Sequence, residues 1–423
     1  MQDRILWIVP KWPLPMQDGS RVATCALLEG VTKKNVVVDL LAFAGSDEKI
    51  DLEEARDKLG LRNIFVIRRE ATLPSKRALL KTFLKTPFLP ITFAKYGAPD
   101  ISLSTKVLLN EGNLPEKIES SMQDQNFSWN TIVHEGLHAA AYSIKNGGYR
   151  RYLKEDIRLI YRAQNCESDL WIQRFKQEKN PLLKAFLFFQ ALLVKRFERS
   201  VLECFDGVAA VSAEDISSFK KIAPCSRSVV VPIGRNFSKI LPFTYKAKVN
   251  LLFVGRLDWL PNKEGLSWFL ENVWGEVSEE RTDLHLKIVG SGDGAWLKRF
   301  SYLPEIDFLG RVDDLTVLYE ESCGVIVPVF YGSGTRVKVI EAASYGRACI
   351  GTALGVAAGL DLKDKESFCC VESREEWVEF LLSFNCGDVV KIGECAFYKL
   401  RERFDLHRAA DKFCIFLEEL QKK

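Results

Sequence analysis

No run of about 18 uncharged apolar residues occurs in the sequence, so no segment is expected to span a bilayer. The first apolar stretch, Ile5 to Pro10, is too short for the core of a secretory signal, and Lys11 interrupts it. Net charge is nearly absent as well, at +3, which excludes a generally nucleic-acid-binding surface. The 11 cysteines contain no Cys-x-x-Cys, and only Cys369 and Cys370 are adjacent. An odd, unpatterned set in a long chain predicts reduced thiols and a cytoplasmic setting. Histidine is scarce. His134 and His138 have metal-like spacing, but no His-Glu-x-x-His order exists, so no metal site is expected. The loop after the first apolar run lacks Gly-x-Gly-x-x-Gly and so carries no dinucleotide fingerprint. Low-complexity segments and short-period repeats are missing too.

What is present is enough chain, at 423 residues, for two domains with separate cores. An apolar content of 47% with 27% charged residues is that of a soluble globular protein. Ile5–Val9 reads as a buried strand, Lys11 to Arg21 as a loop, Val22 to Thr32 as a helix and Val36–Phe43 as a second strand. Further strands are expected at Ile64–Ile67, Thr131–Val133, Arg158–Tyr161, Gly207–Ser212 and Val229–Gly234. Continuous apolar strands separated by helices predict a parallel, doubly wound sheet. Lys239–Lys248, which holds Pro242, reads as a linker, and the rhythm then restarts. Strands are expected at Asn250–Val254, Leu284–Val289, Val325–Val329, Ala348–Thr352 and Phe368–Val371, with a long last helix from Glu402 to Lys423. The fold class is therefore α/β, with domains 1–240 and 241–423. The last helix (402–423) is a candidate to pack back on the first domain.

Polar groups at the carboxyl ends of such strands face the ligand crevice. Four glycine-bearing loops follow strands in the second half: Gly255-Arg256, Gly290-Ser291-Gly292, Gly310-Arg311 and Gly332-Ser333-Gly334-Thr335. On one sheet edge they would form a wall of backbone donors, with Arg256 and Lys263 adding positive charge. That combination neutralises a diphosphate without a metal. The stretch from Gly332 to Gly346 is the most informative. Glycines open a turn after a buried strand, helix formers follow, and the first N–H groups of that helix point at an anion. Glu341 sits in the helix among Ile340, Ala342 and Ala343, where a carboxylate needs a partner. A ribose diol would suit it, and so would a salt bridge to Lys338 one turn earlier. In the first half, Asp18-Gly19-Ser20 belong to the loop after the first strand, and His134-Glu135 end another. These residues are ligand contacts on one reading, and an ordinary turn and a core histidine on the other.

Two stretches bear on membranes. From Arg68 to Lys95, Arg69, Lys76, Arg77, Lys81 and Lys85 interleave with Leu79, Leu80, Phe83, Leu84, Phe88, Leu89 and Phe93, against the single acid Glu70. This suits contact with anionic lipid headgroups, or a solvated helix with an inward apolar face. Leu182–Val194 is strongly apolar but too short to span, which leaves a core helix or one lying on a membrane.

Val254-Gly255-Arg256-Leu257-Asp258-Trp259, with Pro261-Asn262, and the Gly332 to Gly346 stretch resemble the retaining glycosyltransferases of family 4, in the subgroup with a Gly-Ser-Gly-Thr-Arg donor loop. Gln164 to Trp171 and Asp206 to Ser212 are similar to that family's first-domain landmarks. The resemblance implies the GT-B fold, in which two Rossmann-like doubly wound domains face each other across a cleft. It implies transfer of a sugar from a nucleoside-diphosphate sugar to a glycan or lipid-linked acceptor, with no other cofactor. The donor would bind through Gly255, Lys263, Gly290, Arg311, Gly332, Ser333, Gly334, Thr335, Lys338 and Glu341, with Glu341 on the ribose. Arg256, on the diphosphate, and His134 would be catalytic. Asp18, Gly19, Ser20 and Glu135 would lie on the acceptor side. Ser333 stands where many relatives carry the first of two glutamates, and Lys263 falls one position later than the family's lysine. A place on the inner face of the cytoplasmic membrane, in cell-envelope polysaccharide or lipopolysaccharide assembly, would fit. A nucleotide-sugar epimerase-like enzyme and a non-catalytic interaction protein on the same fold are the alternatives.

Overall fold

The computed structural model describes residues 3–16, 18–34, 36–46, 48–69, 90–91, 118–123, 128–144, 156–224, 227–244, 248–332 and 335–422. Most of the basic segment from Arg68 to Lys95 lies outside them, as do Ser333 and Gly334. The chain divides into two compact units, Met1–Ile233 with Ala409–Lys423, and Gly234–Arg408.

The first unit is built on an eight-stranded sheet. Its strands are β1 (Arg4–Val9), β2 (Val37–Gly45), β3 (Asn63–Arg69), β4 (Ile118–Met122), β5 (Thr131–Glu135), β6 (Arg158–Ala163), β7 (Gly207–Ala210) and β8 (Ser228–Val230), in the order β4-β3-β2-β1-β5-β6-β7-β8. All pairs are parallel except β3 with β4, where Asn63 faces Met122. The sequence does not announce β4. Its Ile-Glu-Ser-Ser-Met is polar because an edge strand pairs on one side only and needs no continuous apolar run.

Side chains alternate between sheet faces, so each strand feeds two cores. Trp7, Val9, Leu40, Val133 and Ile160 bury one face, with helix α1 (Gly19–Thr32) against it. Leu6, Ile8, Leu41, Ile132 and Tyr161 bury the other. Helix α2 (Glu167–Gln177) and helix α3 (Pro181–Cys204) follow β6, and Val194, Val201 and Leu202 of α3 join this second core. The C-terminal helix, Leu406–Gln421, packs Ala410, Phe413 and Phe416 on the first face, with the Phe413 ring 5.2 Å from that of Trp7. It does not start at Glu402. Asp405 is extended, and its carboxylate accepts from the N–H groups of His407 and Arg408, so it ends one helix and caps the next.

The second unit holds a parallel six-stranded sheet of β9 (Val249–Val254), β10 (Leu284–Val289), β11 (Ile306–Gly310), β12 (Ser322–Val327), β13 (Ala348–Gly351) and β14 (Cys369–Cys370), in the order β11-β10-β9-β12-β13-β14. Helices α4 (Leu260–Phe269), α5 (Val337–Ser344) and α6 (Cys386–Phe404) pack on it. A disulfide joins Cys323 of β12 to Cys386 at the start of α6, with Cα atoms 5.7 Å apart. This corrects the expectation of reduced thiols throughout. The two cysteines are 63 residues apart, so spacing could not pair them, and only the packing of α6 on β12 does.

Helix α4 lies close to the chain leaving β12. A Cβ added at Gly265 would sit 1.6 Å from the Pro328 carbonyl oxygen, which is backbone and has little freedom to yield. Gly265→Ala should therefore lower stability by about 1–3 kcal/mol, the range for overpacking a close-packed site. A lowered thermal midpoint checks this, and an unchanged one would show that the contact is softer than its geometry.

Candidate functional site

Because β9, β10 and β12 run parallel, their carboxyl ends open on one edge of the second unit's sheet. The loops there are stitched together by backbone bonds. Gly255 N–H donates to the Val289 carbonyl at 3.1 Å, Leu257 N–H to Ser291 at 2.8 Å, and Gly290 N–H to Gly310 at 2.9 Å. A Cβ on Gly290 would lie 1.9 Å from the Gly255 carbonyl oxygen, so this close approach requires glycine. Gly332 turns the chain beyond β12 with φ +116, a conformation L side chains rarely adopt. Arg336 then holds the turn. Its Nη2 donates to the Gly332 carbonyl at 2.9 Å and its Nε to Leu354 at 3.1 Å. Arg336 was not among the expected site residues, because its work is to shape the loop, and a buried arginine looks no different from a solvated one in sequence.

Lys338 reaches back across this edge. Its Nζ donates to Asn262 Oδ1 at 2.6 Å and lies 5.2 Å from the centre of the Phe253 ring. It would stand 3.3 Å from a Cβ on Gly255. Asn262 in turn donates to the Arg256 carbonyl at 2.9 Å. One ammonium therefore sits beside the β9 loop and is tied to α4 by an amide. Burial pulls its pKa down to about 8.

Lys338 does not pair with Glu341, as one of the two sequence readings had it. The Glu341 carboxylate takes the Arg235 guanidinium instead, with both side chains under one-fifth exposed. Arg235 comes from a chain segment 106 residues earlier, held by its N–H on Phe404 and its carbonyl on Leu406, each at 2.8 Å. The stacked rings of Tyr319 and Tyr345, 4.3 Å apart, lie in the electrostatic field of this pair. Arg256 forms a two-point pair with Asp258, Nε to Oδ1 at 3.0 Å and Nη2 to Oδ2 at 2.6 Å. Arg256 holds the Asp258 carboxyl below its usual range. Both groups are more than a third exposed, so the pair is weak. Arg311, at the end of β11, donates from Nε at 3.0 Å and Nη2 at 2.6 Å to one oxygen of Asp313, Oδ1. The Lys263 ammonium sits 5.9 Å over the Trp296 ring. Thr335 is partly buried just before α5.

In the first unit, Asp18 caps α1 by accepting from the Arg21 N–H at 3.0 Å and grips Lys11 Nζ at 2.8 Å through both oxygens. Burial works to raise its pKa, but Lys11 and the Arg21 N–H outweigh burial and hold it low. Gly19 and Ser20 form the first turn of α1. Glu135 is buried. Its oxygens accept from Trp7 Nε1 at 3.0 Å and Gln164 Nε2 at 2.7 Å, and Gln164 also reaches Ser20 and Thr24 at 3.2 Å. The fully buried Arg162 feels the Glu135 charge, which offsets part of the burial that lowers the arginine's pKa. His134, the catalytic candidate of this unit, is buried. Its side chain faces the second core with 0% exposure, its ring edge-on to Phe205 at 5.0 Å. Burial lowers its pKa to about 3, so the ring is neutral. Adjacent residues of a strand point to opposite sides, and here Glu135 shares a network with Gln164 and α1 while His134 faces the second core.

Lys338 supplies a pH signature. Its folded pKa near 8 lies below the ordinary 10.5. Between those values the unfolded chain keeps a proton that the folded chain has released. Stability should therefore rise with pH across that window through this group. Lys338→Met should remove that gain, read as a flatter dependence of the thermal midpoint on pH from 8 to 10.5 than in the parent. Parallel curves would place the ammonium in water.

Residues 248–383, which include the β9 loop, Lys338 and Glu341, match the family model described as glycosyl transferases group 1. An uncharacterized 44.6 kDa protein in the cps region of Klebsiella pneumoniae is 21% identical over 418 residues, covering 95% of this chain and 96% of its own. Among solved structures, Anabaena HepE in complex with UDP and glucose aligns with TM-score 0.62 at 11% identity, over 98% of this chain and 99% of HepE. The lipopolysaccharide outer core galactosyltransferase WaaB, in its apo form, aligns with TM-score 0.58 at 13% identity, over 98% and 99%. At such identities the likeness is one of fold, two parallel-sheet α/β domains of the GT-B glycosyltransferase type.

Proposed function

We propose that the chain is a retaining glycosyltransferase of family 4 that moves a sugar from a nucleoside-diphosphate sugar to a glycan or lipid-linked acceptor, without a metal. One observation carries the reading. The segment that matches the group 1 model carries glycine loops and Lys338 at one edge of a parallel sheet, and a partly buried carboxylate, Glu341, on the helix that follows the Gly332 loop. The N–H groups ahead of α5, Arg256 and Lys338 would bind the diphosphate, and Glu341 would accept from the ribose hydroxyls. Two exchanges of partner follow. Arg256 would leave Asp258 for a phosphate oxygen, and Arg235 would share Glu341 with the ribose or give it up. Lys338 is charged below pH 8 and already faces Gly255, so it is better placed than Lys263 to be the second cation.

As the glycosidic bond breaks, negative charge grows on the leaving phosphate. Preformed donors aimed there lower the barrier most. For retention the acceptor hydroxyl attacks from the face the diphosphate leaves, and the departing phosphate oxygen takes its proton. No protein nucleophile is assigned. Asp18, Gly19, Ser20 and Glu135 of the first unit are assigned to the acceptor, without His134. A role in cell-envelope polysaccharide or lipopolysaccharide assembly is supported by the cps-region relative, and a place at the inner face of the cytoplasmic membrane would fit that role.

Thermal-shift screening of nucleoside diphosphates and their sugars should find a stabilising ligand. Glu341→Ala should weaken its binding about tenfold, the scale of a hydrogen bond to a charged group. Arg256→Ala should slow transfer by about a hundredfold. Parental binding and rates in both variants would overturn the site, and a product of inverted anomeric configuration would overturn retention.

A further inference from the structure

Glu341 is held from outside its own helix. Lys338, Glu341 and Tyr345 follow each other at i, i+3 and i+7, so they share one face of α5 and its carboxyl-terminal cap. Arg235 comes onto that face with its backbone fixed on both sides. Its N–H donates to the Phe404 carbonyl and its carbonyl accepts from the Leu406 N–H, each at 2.8 Å. The residue is thereby clamped to the chain between α6 and the C-terminal helix. Its largely buried side chain reaches Glu341 through one corner only, Nη2 to Oε1. The Nε of the same guanidinium is buried and makes no hydrogen bond among the described residues. A fork that could take both oxygens of a carboxylate thus takes one. No other described side chain bonds this carboxylate, which leaves Oε2 open. Tyr345, one turn beyond Glu341, stacks its ring on that of Tyr319 at 4.3 Å. Tyr319 is fully buried, and its carbonyl accepts from Arg347 Nε at 2.6 Å. The Arg235–Glu341 pair acts on both tyrosines, so it stands beside a fixed aromatic wall.

We propose that Arg235 is a positioning residue: it holds Glu341 Oε1, presents Oε2 to a hydroxyl of a ribose, and keeps its hold when the nucleotide binds. This rests on the reading of Glu341 as the ribose acid. A carboxylate on a mobile side chain must lose rotamer freedom to accept a hydroxyl, and a clamped guanidinium that already fixes one oxygen lowers that loss. The single-point contact makes sharing possible. An ionised carboxylate accepts at both oxygens, so Nη2 and a hydroxyl can bond it together. A two-point pair such as Arg256–Asp258 would have to be displaced instead. Burial points the same way. Arg256 is half exposed, whereas the Arg235 side chain is 19% exposed and its backbone is pinned, so it has little room to swing aside.

The test is calorimetric titration of the full chain with UDP, GDP and ADP, each beside its 2′-deoxy and 3′-deoxy form. The parent should bind at least one ribose form about tenfold more tightly than one of its deoxy forms, the scale of a hydrogen bond to a charged group. In Arg235→Met that preference should fall at least about threefold, the smaller end of the coupling between groups in contact. A merely structural defect would weaken ribose and deoxy forms alike and leave the preference where it was. In Glu341→Ala the preference should already be lost, and adding Arg235→Met should change it no further. Should Arg235→Met not fold, Arg235→Lys, which keeps the charge without the planar fork, carries the test with a smaller fall. An unchanged preference on replacing Arg235 would overturn the assignment and leave Glu341 on the ribose. So would tighter binding of the ribose form, the mark of a guanidinium that must be displaced. A parent without ribose preference, or a Glu341→Ala variant that keeps it, would instead overturn the reading on which the proposal rests.

Discussion

The parallel pairing of β9 with β10 and β12 is the constraint on which the second unit's chemistry depends. Parallel strands end on one edge, so residues as distant as Gly255, Gly290 and Gly332 open on the same side. Each loop there uses backbone to bind backbone, and the close approach at Gly290 leaves no room for a side chain. What remains at the surface is N–H groups and a few cations, the composition of an anion site. Unpair β9 from β12 and Lys338 loses both Asn262 and the Phe253 ring, since one comes from the helix after β9 and the other from β9 itself.

Charge at this edge is held in provisional pairs. Arg256 is with Asp258, Arg235 with Glu341, and Lys338 with the neutral Asn262. An exposed two-point pair such as Arg256–Asp258 contributes little to stability, so exchanging its partner costs little. Lys338 is the different case. Its hydrogen bond goes to an amide and not to a carboxylate, and burial already disfavours its charge. An arriving anion would relieve that penalty, which makes Lys338 the group at this edge most sensitive to occupancy.

The first unit handles its buried charges in another way. Glu198 and Glu135 are enclosed and fully engaged by donors, Glu198 at the amino end of α2 and Glu135 between Trp7 and Gln164. These bonds tie the end of β5 to α1 through Gln164, and the start of α2 to α3 through Glu198, so the acids serve as structural ties.

Much of the fold was legible because buried parallel strands are apolar along their whole length and glycine loops mark their ends. The strands from Ile5, Asn250, Leu284 and Ala348 follow that rule within a residue or two. Polar β4 escaped it, as did the break at Asp405, where a capping carboxylate mattered more than helical periodicity. By itself the sequence determined the two α/β sheets, the glycine loops and the position of Glu341 on a helix, since these are local patterns of three to eight residues. Only tertiary structure decided that Glu341 meets Arg235, that Lys338 meets Asn262, that Cys323 meets Cys386 and that His134 is buried. Those outcomes depend on which chain segment arrives from tens of residues away and on which face of a strand looks inward, and neither is written in local spacing.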